Sequence, residues 1–221
     1  MFSYVFMKVL ETRPRSYDQR MNAASRGRVR AVKEQVVAAV PPGAHVLEVG
    51  CGTGELAAML VAAGHTVEGF DRSPAMVEVA RERIETEGLE GRFTVRQMGV
   101  EGMDALSDGA YGAVVATLVF SELSTDERRY ALQHAFRVLE PGGRLVVADE
   151  VIPRTTGRRL VHALLRAPAL AAVYLAFRRS THPVADLAGE VRAAGFRVLS
   201  EERSHGDAFA VLVAERLAEA A

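Results

Sequence analysis

The chain has 221 residues, of which 49% are hydrophobic and 25% are charged, as is typical of a soluble globular protein with one large domain. Its formal net charge of −1 argues against a general nucleic-acid-binding protein, which would be strongly basic. The single cysteine, Cys51, excludes a disulfide framework and a cysteine-based zinc site, and we predict no metal site.

The amino-terminal part, residues 1–40, is predicted to form a helical cap. The apolar residues that precede Lys8 are too few for a secretory signal peptide, so a cytoplasmic protein is expected. Basic residues outnumber acidic ones in this part and again in residues 153–180. These two segments are expected either to face an anionic lipid, partner or substrate, or to be solvated surface.

A strand, a glycine-rich loop and a helix come next. Residues 45–49 are apolar and β-branched, as in a strand that is buried on both faces, and residues 56–63 have a helical pattern. Between them, Gly50, Gly52 and Gly54 occupy alternate positions. Glycine permits a turn in which no Cβ obstructs a ligand. The sequence therefore predicts a ligand site at this junction, on the carboxyl edge of a sheet.

The spacing of the loop excludes a dinucleotide fingerprint, because Glu55 stands where the third glycine of that motif is required. A second predicted strand, residues 66–70, ends at Asp71. Asp71 follows the first glycine by about 20 residues, an offset that suits a carboxylate bound to ribose hydroxyls.

Strands and helices alternate through the middle of the chain, which is typical of a doubly wound parallel sheet. Ser73 and Pro74 are preferred helix starters, and Ser124 with Glu127 forms the capping box of a helix that is predicted to end at residue 139. The strands predicted in this part are residues 93–96, 111–117 and, after a Pro-Gly-Gly turn, 144–149.

Residues 153–183 interrupt this alternation. The apolar stretch 160–177 contains Arg166 and Pro168, which argue against a transmembrane helix. Three interpretations remain open: an apolar, basic lid over an apolar acceptor, an interfacial helix that makes peripheral membrane contact through residues 153–180, or a packed helix pair.

A helix over residues 184–194 and two strands, residues 196–200 and 209–214, complete the chain. The short link between these strands predicts an antiparallel hairpin. We therefore predict one α/β domain over residues 1–221, with a Rossmann-like, doubly wound sheet of seven strands. The sheet is mostly parallel with a C-terminal antiparallel hairpin, and helices cover both faces.

The acid Glu48 followed by three alternate glycines resembles motif I of the class I S-adenosylmethionine (SAM) methyltransferases. The segments YGAVVATLVFSEL and LEPGGRLVVADE resemble later motifs of the same family. The resemblance implies that the cofactor is SAM, with Glu48 and the loop amides at the methionine moiety and Asp71 at the ribose. The cofactor-binding residues that it implies are Glu48, Gly50, Cys51, Gly52, Gly54, Asp71, Arg72, Met76, Gly99, Val100, Glu101, Thr117 and Leu118.

Cys51 and Gly99 are interpreted individually among these positions. Cys51 is interpreted as a small loop residue and not as a nucleophile, because methyl transfer from SAM requires none. Gly99 stands where many relatives have an acid that accepts the adenine amino group, so a backbone contact or Glu101 is expected to replace it.

No single residue is predicted as a general base, and three candidates are kept. Histidine titrates nearest to neutral pH, which makes His182 a candidate, but a cap of the following helix is the favoured interpretation of this residue. Glu150, at the end of a strand, either contacts the substrate or orients the next loop. Tyr17 with Asp18 resembles a pair that closes over the cofactor in related enzymes, and Glu122 is a further candidate for acceptor contact.

The predicted function is methyl transfer from SAM to a small or lipid-like apolar acceptor. The segments SYVFMKVLETRPRSYD, FSELSTDE, VADEVIP and STHPV resemble corrinoid protein-associated methyltransferases, which implies a corrinoid protein partner as one alternative. The other alternative is an accessory protein that binds SAM without catalysis. Nucleic-acid methylation is not expected, because the Asn/Asp-Pro-Pro-Tyr motif of amino-methylating enzymes is absent from the sequence.

Overall fold

Seven strands form one sheet in the computed structural model, which describes residues 10–160, 163–164 and 182–218. The strands are β1 (His45–Val49), β2 (Thr66–Asp71), β3 (Phe93–Gln97), β4 (Tyr111–Thr117), β5 (Leu139–Glu150), β6 (Arg197–Ser204) and β7 (Phe209–Glu215). Their order is β3-β2-β1-β4-β5-β7-β6. The first five strands pair in parallel, and β7 is antiparallel to both β5 and β6. The predicted fold class is confirmed.

Six α-helices that lie wholly within the described residues accompany this sheet. They are α1 (Tyr17–Ser25), α2 (Arg28–Ala39), α3 (Glu55–Ala62), α4 (Pro74–Glu87), α5 (Thr125–Val138) and α6 (Leu187–Ala193). Short 3-10 helices are formed by Pro14–Ser16, Val100–Ala105 and Phe120–Glu122. Helices α1 and α2 lie in the segment predicted to be an amino-terminal cap, of which residues 1–9 are outside the description.

The helix starts follow the local sequence. The Ser73 hydroxyl accepts a hydrogen bond from the Met76 amide at 3.4 Å, with Pro74 in the first turn of α4. Both hydrogen bonds of the predicted capping box are present at the start of α5, between Ser124 and Glu127. Each bond satisfies an amide that has no partner inside its helix.

Three predicted boundaries differ from the structure by three residues or more. Strand β6 continues to Ser204, whereas residue 200 was its predicted end. Strand β5 begins at Leu139, which pairs with Tyr111, and the predicted turn lies in a bulge before Arg144 pairs with Ala113. Helix α6 begins only at Leu187, because Val184 instead forms a parallel bridge with Val151.

The central strands of the sheet are buried on both faces, as their apolar sequences predict. One face packs against α5 and α6, and the other against α2 and α3. Alternate residues of one strand separate accordingly: Leu145 and Val147 join the first cluster, and Val146 and Ala148 join the second. Burial on both faces leaves the carboxyl ends of the strands as the open edge of the sheet.

The chain reverses its direction across the sheet at β1, whose neighbours are β2 on one side and β4 on the other. In open α/β sheets, ligands bind in the crevice outside the carboxyl ends of the strands at such a switch point. The glycine-rich loop leaves β1 at this point.

Most of the predicted lid lies outside the described residues, and so do His162, Arg166 and Pro168. Residues 156–160 are helical, and the side chains of Leu160 and Leu164 are exposed, by 63% and 66%. Within the described ranges, no helix combines the length and apolar character needed to cross a membrane.

Candidate functional site

A cavity of about 370 Å³ opens at the carboxyl ends of β1, β2 and β4. All of the residues predicted to bind the cofactor line this cavity, except Gly54, and Tyr17 lines it as well. The structure therefore brings together side chains from the glycine loop, from the ends of three strands and from the amino-terminal helices.

The glycines of the loop differ in what surrounds them. Gly50 and Gly52 have φ angles of +67° and +54°, which favour glycine. A Cβ on Gly50 would lie 2.4 Å from a methyl group of Val119, whereas a Cβ on Gly52 would meet no atom within 4 Å. Gly54, with φ +76°, faces away from the cavity, and a Cβ there would lie 2.8 Å from the Phe93 ring. Gly54 thus permits close packing, and Gly52 leaves the loop open to a ligand.

Asp71 links β2 to this loop. One carboxylate oxygen accepts a hydrogen bond from the Gly52 amide at 3.0 Å, and the other accepts one from the Ser73 amide at 2.8 Å. Burial raises the pKa of Asp71, while these two amides lower it. The carboxylate both fixes the glycine loop and borders the cavity in which a ribose would lie.

Glu48, in β1, is a buried acid with an unsatisfied oxygen. Glu48 is 3% exposed, and no group among the described residues forms a hydrogen bond with its Oε2 atom. Burial raises the pKa of Glu48 to about 8, and the nearby Lys33 ammonium opposes that shift. A buried carboxyl oxygen without a hydrogen-bond partner costs free energy of folding unless a ligand satisfies it. The residues present therefore fit the ammonium group of an amino acid moiety.

Lys33 was missed by the sequence analysis, because no motif marks it. Lys33 lies one helical turn after Val29 on α2, and both residues line the cavity. The ammonium forms an ion pair with Glu55 at 2.5 Å, and both side chains are only 13% exposed. Burial alone would raise the pKa of Glu55, but Lys33 lowers it below its usual value.

A second long-range contact holds α1 over the loop. The Thr53 hydroxyl donates to Asp18 at 2.7 Å, and the Arg83 guanidinium donates to the same carboxylate at 2.6 Å. The preceding residue, Tyr17, lines the cavity, and burial raises the pKa of its hydroxyl well above the usual value. The predicted pair is thus divided: Asp18 anchors the helix, and Tyr17 faces the site.

Another side of the cavity is formed by residues that follow β2 and β3. Met76 and Val100 are buried, at 4% and 7% exposure, and line the cavity together with Gly99 and Glu101. The buried Thr117 hydroxyl, at the end of β4, has no hydrogen-bond partner among the described residues. It faces the same cavity from the side predicted to hold the methionine moiety.

The candidate bases lie in different places. Glu122 lines the cavity, with its carboxylate 3.4 Å from the guanidinium of Arg72. Glu150 is buried at the end of β5, and neither it nor His182 is among the described residues that line the cavity. His182 contributes instead a backbone contact, donating to the Ser121 carbonyl at 2.7 Å.

The turn that carries Glu122 is also fixed by Asp149. This fully buried carboxylate accepts hydrogen bonds from the amides of Ser121 and Glu150, at 3.2 and 2.7 Å. Burial raises the pKa of Asp149 to about 6. The last residues of β5 therefore support the wall of the cavity from behind.

Comparison with known proteins identifies methyltransferases as relatives of this chain. Residues 46–143 match a family described as a methyltransferase domain. A demethylmenaquinone methyltransferase of Thermus thermophilus is 41% identical over 110 residues, which cover 47% of this chain and 46% of that protein. An O-methyltransferase of Aspergillus sclerotiorum is 32% identical over 166 residues, covering 71% and 56%, respectively. The chain thus spans about half the length of these two relatives.

A similar fold is found in the solved structure of an O-methyltransferase family protein from Burkholderia thailandensis. Its TM-score is 0.69 at 22% identity, and the similarity covers 99% of this chain and 65% of that one. At this level of identity, the similarity shows a shared fold and nothing further.

Proposed function

Because the chain belongs to the class I SAM-dependent methyltransferases, we propose that it binds SAM in the cavity and transfers the methyl group to a small apolar acceptor. The observation that carries this proposal is the unsatisfied oxygen of Glu48 beside an open glycine loop, with Asp71 bordering the same cavity. These groups match the ammonium and ribose of one nucleoside.

When bound, SAM supplies a methyl group that is electrophilic because it is attached to a sulfonium. The chain's own contribution is to hold donor and acceptor in line, which can lower a barrier by roughly 7–11 kcal/mol. Glu48 and the loop would fix the methionine end, and Asp71 would fix the ribose. Tyr17 would cover this side of the cavity and exclude water.

Apolar side chains from three parts of the fold support an apolar acceptor. Met21 and Val29 contribute from α1 and α2, and Leu118, Val119 and Leu123 contribute from the segment after β4. The relatives point the same way, since one is named for a lipid-like quinone, demethylmenaquinone. An apolar acceptor would displace water from these surfaces.

A general base is required only where the acceptor loses a proton during transfer. We propose Glu122 for that role in preference to Glu150 and His182, because it lines the cavity whereas they do not. Tyr17 is unsuited to accept a proton, because burial holds its hydroxyl protonated.

Binding and transfer are tested separately. Calorimetric titration of the full chain with SAM and with its demethylated product, S-adenosylhomocysteine (SAH), should show binding of both, and NAD should show none. Absence of binding by both nucleosides would overturn the proposal.

Methyl-labelled SAM is then supplied with a cell extract that is separated into lipid, small-molecule and protein fractions. Label in the lipid or small-molecule fraction is the expected result. SAM binding without transfer into any fraction would favour the accessory protein, for which the missing acid at Gly99 is the supporting observation. Label that depends on an added corrinoid protein would favour the corrinoid partner, which rests on the likeness of the terminal segments.

A further inference from the structure

We propose that Lys33 binds the carboxylate of the SAM amino acid moiety and thereby selects nucleosides that carry this moiety. The inference rests on the proposed function, and it assigns a binding role to a residue outside the segment that matches the methyltransferase family. The ligand chemistry is that of a zwitterionic amino acid end, with one ammonium and one carboxylate.

The position of Lys33 supports this role. Lys33 lines the same cavity as Glu48, and its ammonium is the charge that most strongly lowers the pKa of that acid. The two side chains reach the cavity from different elements, α2 and β1. A cation and a buried acid therefore line the same cavity, and the methionine moiety is expected at this acid.

The distribution of cationic residues in the cavity also supports the role of Lys33. Among the described residues that line it, only Lys33 and Arg72 are cationic. Arg72 follows Asp71 on the ribose side and is paired with Glu122. This leaves Lys33 as the described cation beside Glu48, which is the arrangement that complements a zwitterion.

The hydrogen-bonding capacity of the Lys33 ammonium is consistent with this role. An ammonium group has three donors, and the one partner that Lys33 has among the described residues is Glu55. Glu55 also accepts a hydrogen bond from the Asn22 amide at 3.3 Å, so it is held by α1 as well. Lys33 can therefore donate to a ligand carboxylate while Glu55 keeps it in place.

The test compares SAH with 5′-methylthioadenosine, which keeps the adenosine and thioether but lacks the amino acid moiety. Calorimetric titrations use the full chain as wild type and as Lys33→Met. We expect Lys33→Met to weaken SAH binding roughly 10- to 100-fold and to change 5′-methylthioadenosine binding less than about twofold. Equal loss for both ligands, or no loss for SAH, would overturn the inference.

Two further variants separate binding from architecture. Glu55→Gln removes the ion pair and keeps the ammonium, so it should retain most of the preference for SAH. Arg30→Met changes an exposed cation on the same helix, 61% exposed at its side chain, and should leave both affinities unchanged. Loss of the preference in Glu55→Gln equal to that in Lys33→Met would assign Lys33 to the fold alone. If the wild type binds neither ligand, the proposed function itself fails.

Discussion

The Thr53 hydroxyl donates to both carboxylate oxygens of Asp18, at 2.7 and 2.9 Å, and so joins the glycine loop to α1. Arg83 strengthens the junction, because it donates to Asp18 and also to the Thr53 carbonyl at 3.0 Å. A side chain on α4 thus fixes an amino-terminal helix over the loop that follows β1. Helix α1 in turn carries Tyr17 into the cavity.

Asp18→Ala should weaken this junction. We expect a loss of about 1.5–3 kcal/mol in the free energy of unfolding and a lower affinity for SAM, because charge-assisted hydrogen bonds are removed from a largely buried position. Urea denaturation and calorimetry measure the two effects. Arg15→Ala, which removes an exposed ion pair with Glu82, is the control and should change neither. Unchanged SAM affinity in Asp18→Ala would show that α1 does not contribute to the site.

Two glycines of the loop should respond differently to alanine. Gly52→Ala places a methyl group in open space at φ +54°, so we expect a stability cost of about 1–2 kcal/mol and a marked loss of SAM affinity. Gly54→Ala adds a clash with the Phe93 ring at 2.8 Å, so a larger cost of about 2–4 kcal/mol is expected. Denaturation and SAM titration distinguish them. Equal stability losses would contradict the separate roles.

Glu48 should make the unliganded protein less stable as pH rises. The pKa of Glu48 is about 8 in the fold, whereas the ordinary value of a glutamate is 4.5, so the folded state holds a proton that the unfolded state releases across this interval. Glu48→Gln removes the penalty. Its advantage in unfolding free energy over the wild type should grow from near zero below pH 4.5 to an upper limit of roughly 5 kcal/mol at pH 8.

Urea denaturation at several pH values measures this advantage. Glu34→Gln, at an exposed carboxylate of α2, serves as the control and should show no comparable change with pH. A constant difference between Glu48→Gln and the wild type across these pH values would mean that folding does not shift the pKa of Glu48.

Asp71→Ala should weaken SAM binding by about 1.5–3 kcal/mol for each hydrogen bond lost to the ribose. A decrease in stability should accompany it, since the amides of Gly52 and Ser73 lose their acceptor. Calorimetry gives the first quantity and thermal unfolding the second. Glu78→Ala, at an exposed position of α4, should leave both unchanged. A stable Asp71→Ala variant with wild-type affinity would contradict the ribose assignment.

The fold could be predicted because its signals are local. The apolar strands, the alternate glycines and the Ser124–Glu127 capping box each lie within a few residues, and the structure has all of them. The bulge in β5 was missed because it depends on which residue of β4 pairs with Leu139. Likewise, Val184 has a helical pattern but joins Val151 instead, a contact between distant parts of the chain.

The residues of the site likewise divide into those with a local sequence signal and those without one. Residues of the loop and strand ends, such as Glu48 and Asp71, follow from a compact motif. Lys33 and Thr53 do not, since their importance arises from partners that are distant in sequence, 22 residues away at Glu55 and 35 at Asp18. A single sequence contains no local pattern that marks such pairs.

Part of the cavity wall comes from outside the segment that matches the methyltransferase family. Helices α1 and α2 contribute Tyr17 and Lys33, yet both residues precede the matching segment, residues 46–143. The same two helices bury Met21, Val29 and Val32 in the apolar cluster on one face of the sheet. Exchange of this amino-terminal region is therefore expected to change ligand binding and stability together, unless the buried apolar positions are kept.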